Sequence, residues 1–227
     1  MLTQSPLHAT ELTPAKDLQY ALTLIAAIWI TGAVGHFTPI GEWGALFLYV
    51  IGSIALTLWY GAHFNAFEQI YITRKNLRQA LTWAGTIGGV LFIVDVVNTS
   101  FYFKNGGAPM VEMERILIGM NLLYVFPVLI LAEEFLWRGM LFSALMNRGV
   151  NKHLVVALTT LAFMLNHYAV APVDFVERGL MAMMALPIGI ANGYLVVKTK
   201  NLWSGVMLHG LTMLSMMCDL FIVPKLI

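Results

Sequence analysis

The stretch Arg115–Met146 reads RILIGMNLLYVFPVLILAEEFLWRGMLFSALM. It is apolar almost throughout and longer than the roughly 20 residues that cross a bilayer as a helix. Three ionisable side chains, Glu133, Glu134 and Arg138, stand in its second half. A run of this kind reads as a membrane helix too long for one simple span, with a charged tail that projects toward the surface. Six further apolar runs flank it: Leu18–Gly35, Trp43–Ala62, Ala80–Phe103, His153–Ala171, Gly179–Val197 and Leu202–Pro224. The expected fold is an all-α, polytopic membrane helix bundle of about seven transmembrane helices.

Composition points the same way. Of the 227 residues, 59% are hydrophobic and 11% are charged, against roughly 45–50% and roughly 25% in soluble domains. Mean hydropathy is +0.77. These values exclude ordinary soluble, disordered and fibrous classes. The net charge of +1 gives no electrostatic case for nucleic acid. The single cysteine, Cys218, excludes an intramolecular disulfide, a cysteine-based zinc site and a CxxC pair. The 14 methionines suit packing or an adaptable apolar groove.

Three regions follow: a polar tail over 1–17 with Pro6 and Pro14, helices 1–3 over 18–109, and the helices carrying the chemistry over 110–227. The tail has no charged region followed by a short apolar core, so the first span is expected to serve as the insertion signal. Loops are expected over Lys104–Glu114 and Pro172–Arg178. Trp43, Tyr71, Trp83 and Trp203, near span ends, read as interface anchors. The basic residues are unevenly divided. Lys16, Arg74, Lys75, Arg78, Arg148, Lys152, Lys198 and Lys200 fall on one side, and Lys104, Arg115, Arg178 and Lys225 on the other. Positive charge stays in the cytoplasm, which puts the N-terminus inside.

Ionisable groups within spans cost on the order of 2.5–3.5 kcal/mol each on insertion scales, so each needs a reason. Glu134 and Arg138 are spaced i,i+4 with the acid first, the better order for a helical ion pair. Glu133 is rotated about 100° away and is left to another task. His167 lies in the fifth span and His209 in the seventh. Glu133 is 14 residues before Asn147 and His167 is 14 after His153, so both sit roughly 20 Å from the cytoplasmic side at the helical rise. His209, 8 residues after Asn201, sits roughly 12 Å deep. An acid and two histidines on three helices can therefore converge. Such a set suits hydrolysis: the glutamate takes a proton from water while histidines orient that water or stabilise an oxyanion.

The motifs Glu133-Glu134-x-x-x-Arg138, Phe163-x-x-x-His167 and the later His209 resemble those of the CAAX prenyl endopeptidase and bacteriocin-processing (CPBP, or Abi) family of glutamate-type intramembrane proteases. The resemblance covers roughly Leu117–Cys218. It implies an intramembrane endopeptidase acting on a membrane-associated protein or peptide near its C-terminal tail. Glu133 would activate the water, Glu134 and Arg138 would support the site or contact substrate, His167 would help hold the water, and His209 would serve the oxyanion. It further implies no cofactor, the bilayer and a membrane-associated substrate as partners, and a bacterial inner-membrane setting. The family usually has asparagine four residues after the last histidine, where this chain has Met213. Either Asn166 or Asn192 fills that role, or activity is weakened or lost.

Four other readings compete. Glu133, His167 and His209 could ligate zinc with an open fourth position, although no HExxH occurs. Ser204-Gly205 is poorly aligned with His209 for a serine protease, and neither Asp95 nor Asp219 lies in GxGD. Asp95, Asn98 and Thr99 share a helix face that could relay protons or simply bond helices together. The alternative function is a non-catalytic member in bacteriocin immunity or partner binding.

Overall fold

The structure is a computed structural model describing residues 16–227, and among them every regular element is helical. The helices are α1 (Lys16–His36), α2 (Trp43–His63), α3 (Leu77–Lys104), α4 (Val111–Gly119), α5 (Leu122–Asn147), α6 (Lys152–Val170), α7 (Phe175–Thr199), α8 (Trp203–Phe221) and α9 (Val223–Leu226). The expected polar tail lies outside the described residues except for Lys16 and Asp17, which open α1.

Six helices, α1, α2, α3, α6, α7 and α8, are long and apolar enough to cross a membrane. The bent pair α4–α5 makes a seventh when counted as one span. Large apolar side chains on the outer faces, such as Ile51, Ile93 and Leu161, are exposed, as expected of a bundle solvated by lipid.

The fourth span differs from the sequence expectation in two ways. It is broken near its start, where α4 and α5 meet at 84°. Asn121 stands at the joint in the left-handed region with φ 57°, a conformation asparagine tolerates better than most residues. The charged tail does not project. Phe135–Phe142 is buried along its whole length, enclosed by α1, α2 and α6, because its charges have partners in the interior. These eight residues are wound as a π-helix, a form that recurs at functional sites.

The two expected loops are partly helical. Val111–Glu114 already belongs to α4. Asp174 and Glu177 form a capping box that opens α7 four residues before the expected start, so these acids cap the start of a helix rather than decorate a loop. Tyr71 is not an interface anchor: it is buried, with φ 62°, and its carbonyl accepts from Leu202 N at 2.9 Å.

One end of the bundle gathers the start of α1, the α2–α3 connection and the turns before α6 and α8. Asn201 Nδ2 donates to the carbonyls of Thr73 and Lys75 at 3.0 and 2.8 Å, and Arg148 pairs with Asp17 at 2.6 Å. The other end gathers the α1–α2 turn, α4 and the start of α7. There Arg178 pairs with Glu42 and Arg115 with Glu177. α3 is peripheral and packs chiefly against α8.

Candidate active site

Glu133 and Glu134 close the regular part of α5 just before its π segment. Adjacent positions face different ways, and the two carboxylates have different surroundings. Glu133 faces a cavity of about 80 Å³ that His167, His209 and Met213 also line, room for several waters by volume. Glu134 is fully buried behind it.

Glu134 Oε1 is a hub. It accepts from Asn192 Nδ2 at 2.9 Å and from His209 Nδ1 at 3.1 Å, and Arg138 Nη1 lies 3.5 Å away. Arg138 is buried, with Nη2 3.4 Å from the Gly189 carbonyl and its guanidinium over the Phe163 ring at 4.9 Å. His209 thus has one ring nitrogen on Glu134. The other, Nε2, lies 3.6 Å from Glu133 Oε2, a spacing that one water could bridge.

His167 comes from the last turn of α6. Its Nδ1–H donates to the Phe163 carbonyl at 3.0 Å, which leaves Nε2 as the ring nitrogen available to the cavity. Phe163 is shared by all three motifs, since its ring also lies 5.0 Å from that of His167 and 6.2 Å from that of His209.

The structure therefore brings Glu133, His167 and His209 to one cavity and sets Glu134 and Arg138 behind it. Neither Glu134 nor Arg138 lines the cavity. Two asparagines named from sequence as substitutes for the residue missing at Met213 are committed elsewhere: Asn192 to Glu134, and Asn166 to the Trp29 indole, which donates to it at 3.1 Å. Among the described residues no three His, Cys, Asp or Glu side chains are grouped as metal ligands.

In the sequence Gly205 stands out only as the neighbour of Ser204. A Cβ there would press directly on Glu134 Oε2. It lies four residues before His209, hence on the same face of α8, and this spacing was the available signal. Asp219 of α8 is buried near Asp95 and Thr99 of α3. Ser215 Oγ donates to Asp95 at 2.8 Å. This cluster ties α3 to α8 away from the cavity.

The α1–α2 turn closes the far end. Arg178 donates to the carbonyls of Val173 and Tyr168, each at 2.8 Å, and pairs with Glu42. Burial pushes the Glu42 carboxyl up, but bonds from Arg178 and His36 outweigh it and hold the group below its ordinary value.

A model of the Type II CAAX prenyl endopeptidase Rce1-like family matches residues 116–215, which contain Glu133, Glu134, Arg138, His167 and His209. No curated protein and no solved structure matches the chain.

Proposed function

From the match of residues 116–215 to the Type II CAAX prenyl endopeptidase Rce1-like family, we propose that this multi-pass membrane protein belongs to that family and hydrolyses a peptide bond with a glutamate-activated water. The substrate is a membrane-associated protein or peptide cut near its C-terminal tail, and the setting is a bacterial inner membrane. The observation carrying this reading is His209 standing between two carboxylates, 3.1 Å from Glu134 and 3.6 Å from Glu133, at a cavity that His167 shares.

In this reading Glu133 takes a proton from a water held between it and the two histidines, and the oxygen attacks the scissile carbonyl. With both ring nitrogens of His209 protonated, Nε2–H donates to the oxyanion that forms while Nδ1–H donates to Glu134, which fixes the ring. The C–N bond then breaks, and the proton on Glu133 passes to the leaving amine. Glu134, Arg138 and Asn192 are positioning residues that set the histidine's direction without touching substrate.

The test is cleavage of a membrane-anchored peptide by purified protein in vesicles. Glu133→Gln should abolish turnover and leave the melting transition in place, because the amide keeps the shape but cannot take a proton. Turnover at the wild-type rate in that variant sinks the mechanism. Full activity in the presence of a chelator is expected, and loss that zinc restores would favour the zinc reading of the same three residues. One observation favours a second function: Met213, which offers no donor, lines the cavity. It suits a non-catalytic immunity or binding role, and correctly folded protein inactive on varied peptides would support that role.

A further inference from the structure

A second hollow, of about 410 Å³, lies between α5 and α8. Every side chain lining it is apolar. Its margin includes Pro127 and Leu214, both exposed on the outer face of the bundle. Its inner wall is Phe126, Ile130 and Met213, and these same three residues line the cavity that holds Glu133. The groove and the cavity are therefore neighbours through one thin wall.

Gly210 opens the groove. A Cβ at this position would meet nothing within 4 Å, so the space beside it is empty of protein, one residue from His209. Met213, one turn on, has the most adaptable apolar side chain available and can change rotamer without moving the backbone.

Resting on the reading above, we infer that this groove is the path by which an extended apolar segment of a membrane-anchored polypeptide reaches Glu133 sideways from the bilayer, with Gly210 and Met213 setting what passes. The occupant follows from the two ends of the path. The outer end faces lipid and is wholly apolar, which excludes a charged or strongly hydrated ligand. The inner end is a carboxylate with two histidines, which has work to do only on a group such as an amide. A lipid tail satisfies the first end but not the second. A polypeptide satisfies both, with an aliphatic side chain beside Gly210 and its carbonyl beyond Met213.

The experiment compares two substrates of one sequence in vesicles, one anchored by an apolar helix and one short and soluble, in wild type and Gly210→Leu. A leucine fills the space beside residue 210, and apolar pockets discriminate by about 10-fold or more per misfit group. The ratio of anchored to soluble turnover should fall by about that factor, through KM rather than kcat. An unchanged ratio overturns the proposal. If wild type cleaves neither substrate, the proteolytic reading fails, and the groove is still tested by binding. An anchored peptide carrying a diazirine should label Met213 or Met217 in Glu133→Gln protein, and Gly210→Leu should abolish the labelling. Labelling elsewhere, or labelling of the groove by a diazirine phospholipid that the peptide does not displace, overturns it.

Discussion

His209 is held by its neighbours, and each neighbour makes a separate prediction. Glu134 is fully buried beside an equally buried Arg138. Removing one partner of a buried pair costs about 3–5 kcal/mol, because the other charge is left behind. Glu134→Gln should therefore lower unfolding stability by that order, measured by denaturation in mild detergent, and pairing it with Arg138→Met should recover part of the loss. Gly205→Ala places a methyl against Glu134 Oε2. Overpacking costs about 1–3 kcal/mol, and here it also displaces the carboxylate that orients His209, so cleavage should fall far more than stability. Met213→Asn adds a donor to the cavity wall. Losing an oxyanion donor costs about 10²–10³ in rate in other enzymes, so turnover should rise toward that factor, and a flat result means another group already fills the role. At this scale the sequence was readable where spacing forces geometry: the i,i+4 pair and the rotation of Glu133 away from it both follow from helix periodicity. Gly205 and Asn192 were opaque, because their task depends on where another helix lies.

Among the elements, the break between α4 and α5 shapes the cavity. Met113, Ile116 and Leu117 of α4 cover it from one end, and Arg115 pins α4 to α7 through Glu177, the same residue that caps α7. Arg115→Ala should release α4 while leaving the capping box of α7 whole. Amide exchange over 111–121 should accelerate and exchange in α7 should not. The apolar run 115–146 hid this break, since apolarity alone does not say whether a helix is straight, and asparagine in a left-handed bend has no strong signature. Helix existence was otherwise legible to within a few residues, because lipid imposes a minimum length on each apolar run. The α1–α2 turn adds a pH dependence. A carboxyl held below its ordinary value contributes stability that is complete above that value, 4.5 for Glu42, and is lost as pH falls through the lowered value. Unfolding of wild type should become easier over that acidic window, and Glu42→Gln should flatten the change.

Taken whole, the molecule sorts its charges by end. The end gathering Lys16, Arg148 and the α2–α3 connection carries most of the basic residues, which proposes it as the cytoplasmic end. Reporter fusions at Asn76 and Gly107 should then report cytoplasm and exterior respectively, and the reverse result would overturn that orientation. The cavity reaches toward α4 and the start of α7, so in this orientation it is approached from the exterior half. The peripheral helix α3 has a further consequence. It has 28 residues and packs chiefly on α8, which has 19, or about 42 Å against about 28 Å at the helical rise. Two partners so unequal cannot both match one hydrocarbon slab. In short-chain lipid α3 must lean and carry α8 with it, and in long-chain lipid the shorter α8 is the one left unmatched. Because α8 bears His209 and Met213, bilayer thickness becomes a control on the site, and cleavage measured across phosphatidylcholines of increasing acyl length should pass through an optimum.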